Sequence, residues 1–570
     1  MKKPVIEFNQ FSFKYNSQVE PTLHEINITI YEGEKVLIVG PSGSGKSTIG
    51  QCINGLVPFS YKGEVTGSLK VLGKDAKELD IFTLSKMVGT VLQDPDGQFI
   101  GLTVGEDIAF ALENDGTEQK EMIEIVHEVA KMVEMDGYLR SSIHELSGGQ
   151  KQKVSLGGVM VDQVDILLFD EPLANLDPAT GKQAIELIDR IHKETNTTIV
   201  MIEHRLEDVL HCEVDRIIVV SDGRIVADAS PDTLLTTSIL EKSNIREPLY
   251  LKAVKYAGCQ ITENMRPASL THFDVQSCKK QLHDWYKKMT FQLEKKEADP
   301  VLEVENLCFT YKNGRPVIDN ISFSVDKGEM ISIVGRNGAG KSTLTKLICG
   351  FEKANEGRIL LSGQEITNDS IKKRSLQIGM VMQNPNHMIS KNMIFDEIAL
   401  GLKNRGIEES EIKERVEKTL KVCGLYPFRN WPISALSFGQ KKRVTIASIL
   451  VLEPDILILD EPTAGQDLKH YTDIMEFLVE LNEKGQTILI ITHDMHLMLE
   501  YTPRAIVIEE GKKIGDHASS FILTEPTIIQ RANLKETSLF ELAKRAVIKN
   551  PQHFVDSFIS YDREVRKKWL

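Results

Sequence analysis

The chain has 570 residues, of which 41% are hydrophobic and 26% charged, with a formal net charge of −14. That length exceeds a single hydrophobic core and suggests about two to four domains, while the acidity disfavours a general nucleic-acid binder. The seven cysteines (Cys52, Cys212, Cys259, Cys278, Cys308, Cys349, Cys423) show no CxxC or other metal-ligand spacing and read as reduced thiols of a cytosolic protein. The start, MKKPVIEFNQ, lacks a signal peptide's apolar stretch, and no run reaches the roughly 18 apolar residues that span a bilayer, so action at a membrane would need a partner.

In chain order, the first predicted element with chemistry is an apolar strand, KVLIVG, running into GPSGSGKST (Gly40, Pro41, Ser42, Gly43, Ser44, Gly45, Lys46, Ser47, Thr48). A buried strand, a glycine-rich loop and then a helix is the context of a phosphate-binding P-loop. Its backbone N–H groups turn inward and the helix N-terminus adds partial positive charge. Lys46 would reach the β and γ phosphates, and Ser47 would offer a hydroxyl to Mg²⁺. VLQDP follows, with Gln93, then LSGGQ with Ser147, Gly148, Gly149 and Gln150. ILLFDEP is a second buried-strand run, ending in Asp170 and Glu171. Acids at the end of a parallel strand beside a P-loop suit a metal-bound nucleotide: Asp170 would hold the Mg²⁺ shell and Glu171 would orient or deprotonate the attacking water. After TTIVMIE comes His204, placed to sense the γ-phosphate.

The chain then repeats itself, which decides its architecture. GRNGAGKST (Gly335, Arg336, Asn337, Gly338, Ala339, Gly340, Lys341, Ser342, Thr343), Gln383, LSFGQ (Ser437, Phe438, Gly439, Gln440), Asp460 with Glu461, and His493 recur in the same order. Tyr15 and Tyr311, each about 30 residues before a P-loop lysine, are candidates to stack on adenine, although an aromatic in a strand is more often core. NIREPLYLKAV is matched by NLKETSLFELA, so each unit carries its own C-terminal extension. The expected boundaries are domain 1 at 1–258, a charged linker at 259–299, domain 2 at 300–547 and a tail at 548–570.

P-loop, glutamine loop, LSGGQ, acid pair and histidine in this order resemble the ABC ATPases. The resemblance covers almost all of both units. It implies an α/β fold of two tandem P-loop NTPase domains, each a RecA-like core with a helical subdomain (94–146 and 384–436) and a C-terminal extension. It also implies ATP and Mg²⁺ as cofactors, with Ser47, Gln93, Asp170, Ser342, Gln383 and Asp460 around the metal. The two domains would pair head to tail within the chain, so Ser437 and Gly439 face the ATP on Lys46, while Ser147 and Gly149 face the one on Lys341. Phe438 then makes the Lys46 site the unusual one.

The stretch VLQDPDGQFIGLTVGEDIAFALEN (Val91–Asn114) resembles the docking region of energy-coupling factor (ECF) importer ATPases. There, a short helix after the glutamine loop meets a transmembrane coupling subunit, which works with a substrate-binding membrane subunit. The second unit puts His387 and Met388 where the first has Gly97 and Gln98. Tandem ECF ATPases similar to this chain are associated with thiamine or its hydroxymethylpyrimidine precursor; import of a vitamin, a precursor or a metal ion is therefore expected, from the cytoplasmic face of the cell membrane. Phe99, Ile100, Ile108 and Phe110 could alternatively just pack the helical subdomain. Two other readings compete. A soluble tandem ABC protein acting on ribosomes would carry a long basic linker, whereas this one is mixed in charge. A sugar-importer tandem commonly has one degraded site, whereas both are intact here.

Overall fold

In a computed structural model the chain separates into two compact units, Met1–Tyr286 and Lys287–Leu570. The structure describes residues 2–93, 97–174, 176–289, 299–312 and 314–569. Asp94–Asp96 of the expected docking stretch and residues 290–298 of the expected linker lie outside them.

In the first unit, a six-stranded sheet runs in the order Arg224–Ala229, Arg216–Ser221, Lys35–Val39, Thr198–Ile202, Ile166–Asp170, Val88–Val91. It is parallel except for the edge hairpin of Arg216–Ser221 with Arg224–Ala229. Lys35–Val39, Thr198–Ile202 and most of Ile166–Asp170 are buried without a polar-facing side, the pattern of strands covered on both faces. A second, antiparallel sheet pairs Pro4–Tyr15 with Leu23–Tyr31 and Gly63–Val71. Phe8, Phe13, Ile28 and Leu69 bury its inner face in the same core as Ile38 and Ile202. The second unit repeats this: Ile378–Val381, Ile456–Asp460, Thr487–Ile491, Met330–Val334, Arg504–Glu509 and Lys512–Ala518 form the six-stranded sheet. Pro300–Thr310, Pro316–Asp326, Glu356–Leu361 and the short Gln364–Glu365 form the antiparallel one.

Between the glutamine loop and the acid pair each unit inserts helices: Val104–Asn114, Gln119–Met132 and Gly148–Met160 in the first, Ile394–Asn404, Glu409–Val422 and Phe438–Leu450 in the second. Thr103 and Glu106 close a capping box on the first of these, satisfying N–H groups the helix cannot pair itself. Its apolar positions Val104, Ile108 and Leu112 recur at helical spacing and are buried.

Two expected boundaries change. Residues 259–286, assigned to the linker, pack onto the first unit through the buried Phe273, Val275, Cys278, Leu282 and Trp285. The tail forms helix Pro551–Trp569, whose Phe554, Val555 and Phe558 are buried in the second unit. Arg563 Nε donates to the Glu500 carbonyl at 2.7 Å, and Arg566 Nη1 to the Tyr501 hydroxyl at 2.6 Å. In both segments charged residues surround widely spaced apolar ones, so composition hides a face that only packing reveals.

Candidate nucleotide site

Each P-loop is shaped by glycines at positions where a side chain has no room. A Cβ on Gly40 would lie 2.1 Å from the Val220 carbonyl oxygen, and one on Gly335 2.0 Å from that of Ile508. Gly45 and Gly340, at φ 99° and 105°, start the helices Lys46–Ile53 and Lys341–Cys349 from the left-handed region. Lys46 Nζ donates to the Gly40 and Pro41 carbonyls, both at 2.8 Å. Lys341 Nζ does the same to Gly335 and Arg336, at 2.7 and 2.9 Å. Tyr15 OH bonds Thr48 Oγ1 at 3.1 Å and Tyr311 OH bonds Thr343 Oγ1 at 3.4 Å, which sets both rings beside the P-loop helices.

The acid pair ends the strand next to the P-loop strand's neighbour. Ser47 Oγ donates to Asp170 Oδ1 at 3.4 Å. Burial, and then the charge of Glu171, push the Asp170 carboxyl up to about 6, against the pull of Ser47 and Lys46. Asp460 is raised as well, by burial and then by Glu461. Buried oxygen donors with excess negative charge suit a hard divalent cation. Among the described residues no group of three or more His, Cys, Asp and Glu could hold a metal ion.

Glu171 and Glu461 have φ of 51° and 44°, a left-handed backbone that costs a residue with a side chain roughly 1 kcal/mol or more and that clusters at functional sites. Glu171 accepts from Gln93 Nε2 at 2.6 Å and lies 2.7 Å from His204 Nε2. Burial alone would raise its carboxyl, but the His204 hydrogen bond, helped by the charges of His204 and Lys46, outweighs burial and holds it below the ordinary range. In the second unit His493 presents Nδ1 to Glu461 at 2.7 Å, and Thr492 Oγ1 donates at 3.3 Å. Each glutamate is thus held by the histidine of its unit, and only the second partner differs, Gln93 in the first and Thr492 in the second.

The signature residues bond within their own helices. Ser147 and Ser437 each form an N-terminal capping box, with Gln150 and Gln440 respectively. A Cβ on Gly148 would meet nothing closer than 3.9 Å, whereas one on Gly149 would lie 2.4 Å from Thr180 Cγ2. Phe438 occupies the permissive position and is 42% exposed.

Several residues of the site carry no motif. Glu203, 2% exposed, accepts from the backbone N–H groups of Leu173, His204 and Arg205, tying the histidine loop to the loop after Glu171. Lys442, fully buried, donates Nζ to the carbonyls of Met382 and Gln383 at 2.7 and 2.8 Å. Burial presses its amine down to about 8, although Asp460 and Glu461 pull the other way. At the matching position the first unit has Gln152, which bonds the Pro172 carbonyl instead. The inward helical spacing of Gly439, Lys442 and Ile446 was a readable signal for Lys442. Gln98 braces the first glutamine loop, accepting from Leu92 N at 3.0 Å and donating to the Thr90 carbonyl at 3.0 Å, while Met388 Sδ accepts from Met382 N in the second. Of the expected docking residues, Ile108 is buried core, whereas Ile100 is 63% exposed, next to Leu102 at 76%.

Paired P-loops, each with an acid pair and a histidine on a mainly parallel sheet, define a tandem P-loop ATPase. The chain belongs to the ABC transporter ATP-binding family: the family described as "ABC transporter" matches residues 23–174 and 318–464. A second family, described as "ATP-binding cassette cobalt transporter", matches residues 237–309. The chain is 56% identical to a Clostridium perfringens protein named as an ABC transporter ATP-binding protein, over 99% of this chain and 100% of that one. It is 57% identical to one of the same description from Enterococcus faecalis, again over 99% and 100%. Among solved structures, CbiO1 from Clostridium perfringens, part of the ABC transporter complex cbiONQ, is 37% identical, covers 41% of this chain and 95% of its own, and has a TM-score of 0.38. The chain is thus the ATP-hydrolysing subunit of an ABC transporter and uses ATP with Mg²⁺. A soluble ribosome factor is not favoured. No helix among the described residues is long and apolar enough to cross a membrane.

Proposed function

We propose that the chain powers an ECF-type importer of a small molecule, a vitamin, a vitamin precursor or a metal ion, from the cytoplasmic face of the cell membrane. The observation that carries this reading is the span of the first glutamine loop. Gln93 bonds the acid Glu171, and a few residues on in sequence, Ile100 and Leu102 stand exposed, an apolar surface for a partner. The expected partners are a transmembrane coupling subunit and a substrate-binding membrane subunit. The cobalt-transporter description of the family matching residues 237–309 favours a metal-ion cargo as much as a vitamin.

In this mechanism the P-loop amides and Lys46 or Lys341 bind the phosphates, and the glycines leave the backbone free to close on them. Ser47 with Asp170 and Ser342 with Asp460 would hold Mg²⁺, with Gln93 and Gln383 completing its protein ligands; the ion would neutralise charge on the transferring phosphoryl group. Glu171 and Glu461 orient and accept a proton from the attacking water. His204 and His493 fix those carboxylates and report on the terminal phosphate. The glutamine loops would pass nucleotide-driven changes to the membrane subunits. Glu171→Gln with Glu461→Gln should abolish hydrolysis and retain ATP. Affinity isolation from detergent-solubilised membranes should bring down small integral membrane proteins; ribosomes in their place would reject the transporter assignment.

A further inference from the structure

The second unit holds a cavity of about 360 Å³, none of whose lining residues belongs to a nucleotide loop. Its floor is apolar, with Val301, Val422 and Leu481, and no aromatic side chain lines it. Around it stand the cations Lys327, Arg415, Lys418 and Lys484 and the carboxylates Glu453 and Asp455. Arg415 is already engaged, 2.6 Å from Glu411 and 3.9 Å from Glu453. Among the described residues Lys327, Lys418 and Lys484 have no ion-pair partner.

The internal repeat supplies a control. DKGEM aligns with YEGEK, placing Glu32 opposite Lys327; ERVEKTLKV aligns with EIVHEVAKM, placing Glu128 opposite Lys418; and NEKG aligns with HKET, placing Glu194 opposite Lys484. All three lysines therefore replace glutamates of the first unit. A simple reading is that Lys484, at the end of helix Leu468–Glu483, offsets the partial negative charge there. The matching helix end in the first unit carries its own cations, His192 and Lys193, beside Glu194, so this reading covers Lys484 but leaves Lys327 and Lys418 unexplained. Three unpaired cations converging on one cavity, each reversed in the sister unit, are more than solvated surface.

We propose that this cavity binds a small phosphate-bearing metabolite, with the three lysines holding the phosphate charge and the apolar residues holding the carbon skeleton. The absence of an aromatic platform argues against a nucleobase. Arg415 and Lys418 sit on helix Glu409–Val422 of the helical insertion, whereas Lys327 and Lys484 belong to turns of the sheet core. A ligand spanning them ties the insertion to the core and so adjusts hydrolysis in the second unit.

The test uses the full chain with Glu171→Gln and Glu461→Gln, both nucleotide sites filled with excess Mg²⁺ and ATP, titrated with inorganic pyrophosphate by calorimetry. One further molecule should bind per chain. Lys418→Glu with Lys484→Glu should weaken it at least tenfold, Lys418→Ala should weaken it less, and Glu128→Lys with Glu194→Lys in the first unit should leave it unchanged. Both lysines are exposed, so thermal melts of these variants should match the parent. No binding once the nucleotide sites are filled, or equal affinity in the charge-reversed protein, would overturn the site. Binding to phosphatidylglycerol vesicles without binding to pyrophosphate would also overturn it, in favour of a membrane headgroup.

Discussion

Replacing Lys442 by methionine keeps the length of the side chain and removes its charge. The ammonium makes two charge-assisted bonds to the carbonyls of Met382 and Gln383, at 2.7 and 2.8 Å, each worth about 1.5–3 kcal/mol. Against this stands the burial of a charge, visible in an amine pressed down to about 8 from the ordinary lysine range, a cost of about 3 kcal/mol. The net loss falls in the range of about 0–3 kcal/mol with a midpoint of about 1.5, or a melting temperature about 3–6 °C lower at that midpoint for a unit of this size. The sign of the pH dependence separates this account from a generic packing defect. Between about pH 8 and the unfolded lysine value of about 10.4, the unfolded chain binds the extra proton. Native stability should therefore rise through that window in the parent, and the rise should be missing in Lys442→Met. Calorimetry from pH 7 to 10.5, in EDTA and without nucleotide, reads both quantities. On the proposed mechanism a Glu171→Gln background leaves the Lys341 site to turn over, and hydrolysis there should show a lower kcat with a smaller change in KM, because the loosened group is the carbonyl of Gln383. Equal melting temperatures and parallel pH slopes for parent and variant would refute the reasoning.

Three further outcomes are expected. His204→Ala removes the 2.7 Å contact to Glu171 and should cut turnover at the Lys46 site about 100-fold or more, read in a Glu461→Gln background, with ATP binding retained. Gly148→Phe should leave the melting temperature within about 2 °C of the parent because that position is open, whereas Gly149→Val should lower it clearly, since its Cβ would press 2.4 Å from Thr180 Cγ2. Phe558→Ala should destabilise the second unit by about 3–5 kcal/mol, because this ring of the C-terminal helix is fully buried; a denaturant midpoint equal to that of the parent would show that the helix is dispensable.

The duplication, the two P-loops, the acid pairs, the histidines and the α/β class were legible in the sequence because each rests on local chemistry. A loop that wraps phosphate must be glycine-rich at fixed positions, and a strand buried on both faces must be a continuous apolar run. Whether the fold has room for the Phe438 ring was not legible, since that depends on what packs beside the helix start; the ring is 42% exposed. Nor were the ends of the units. Residues 259–286 and 551–569 show no continuous apolar run, and their scattered apolar residues gain meaning only when Phe273, Trp285, Phe554 and Phe558 find a surface to cover. The partners of Lys442, Gln152 and Glu203 likewise lie 20 to 60 residues away or in loops whose carbonyls and N–H groups are set by tertiary packing. Local sequence thus determined where the candidate nucleotide-binding and hydrolytic groups lie in the chain. Long-range packing decided how each acid is held, and made the two halves of a duplicated chain chemically unequal, because a buried donor takes its partner from whatever backbone the fold brings to it.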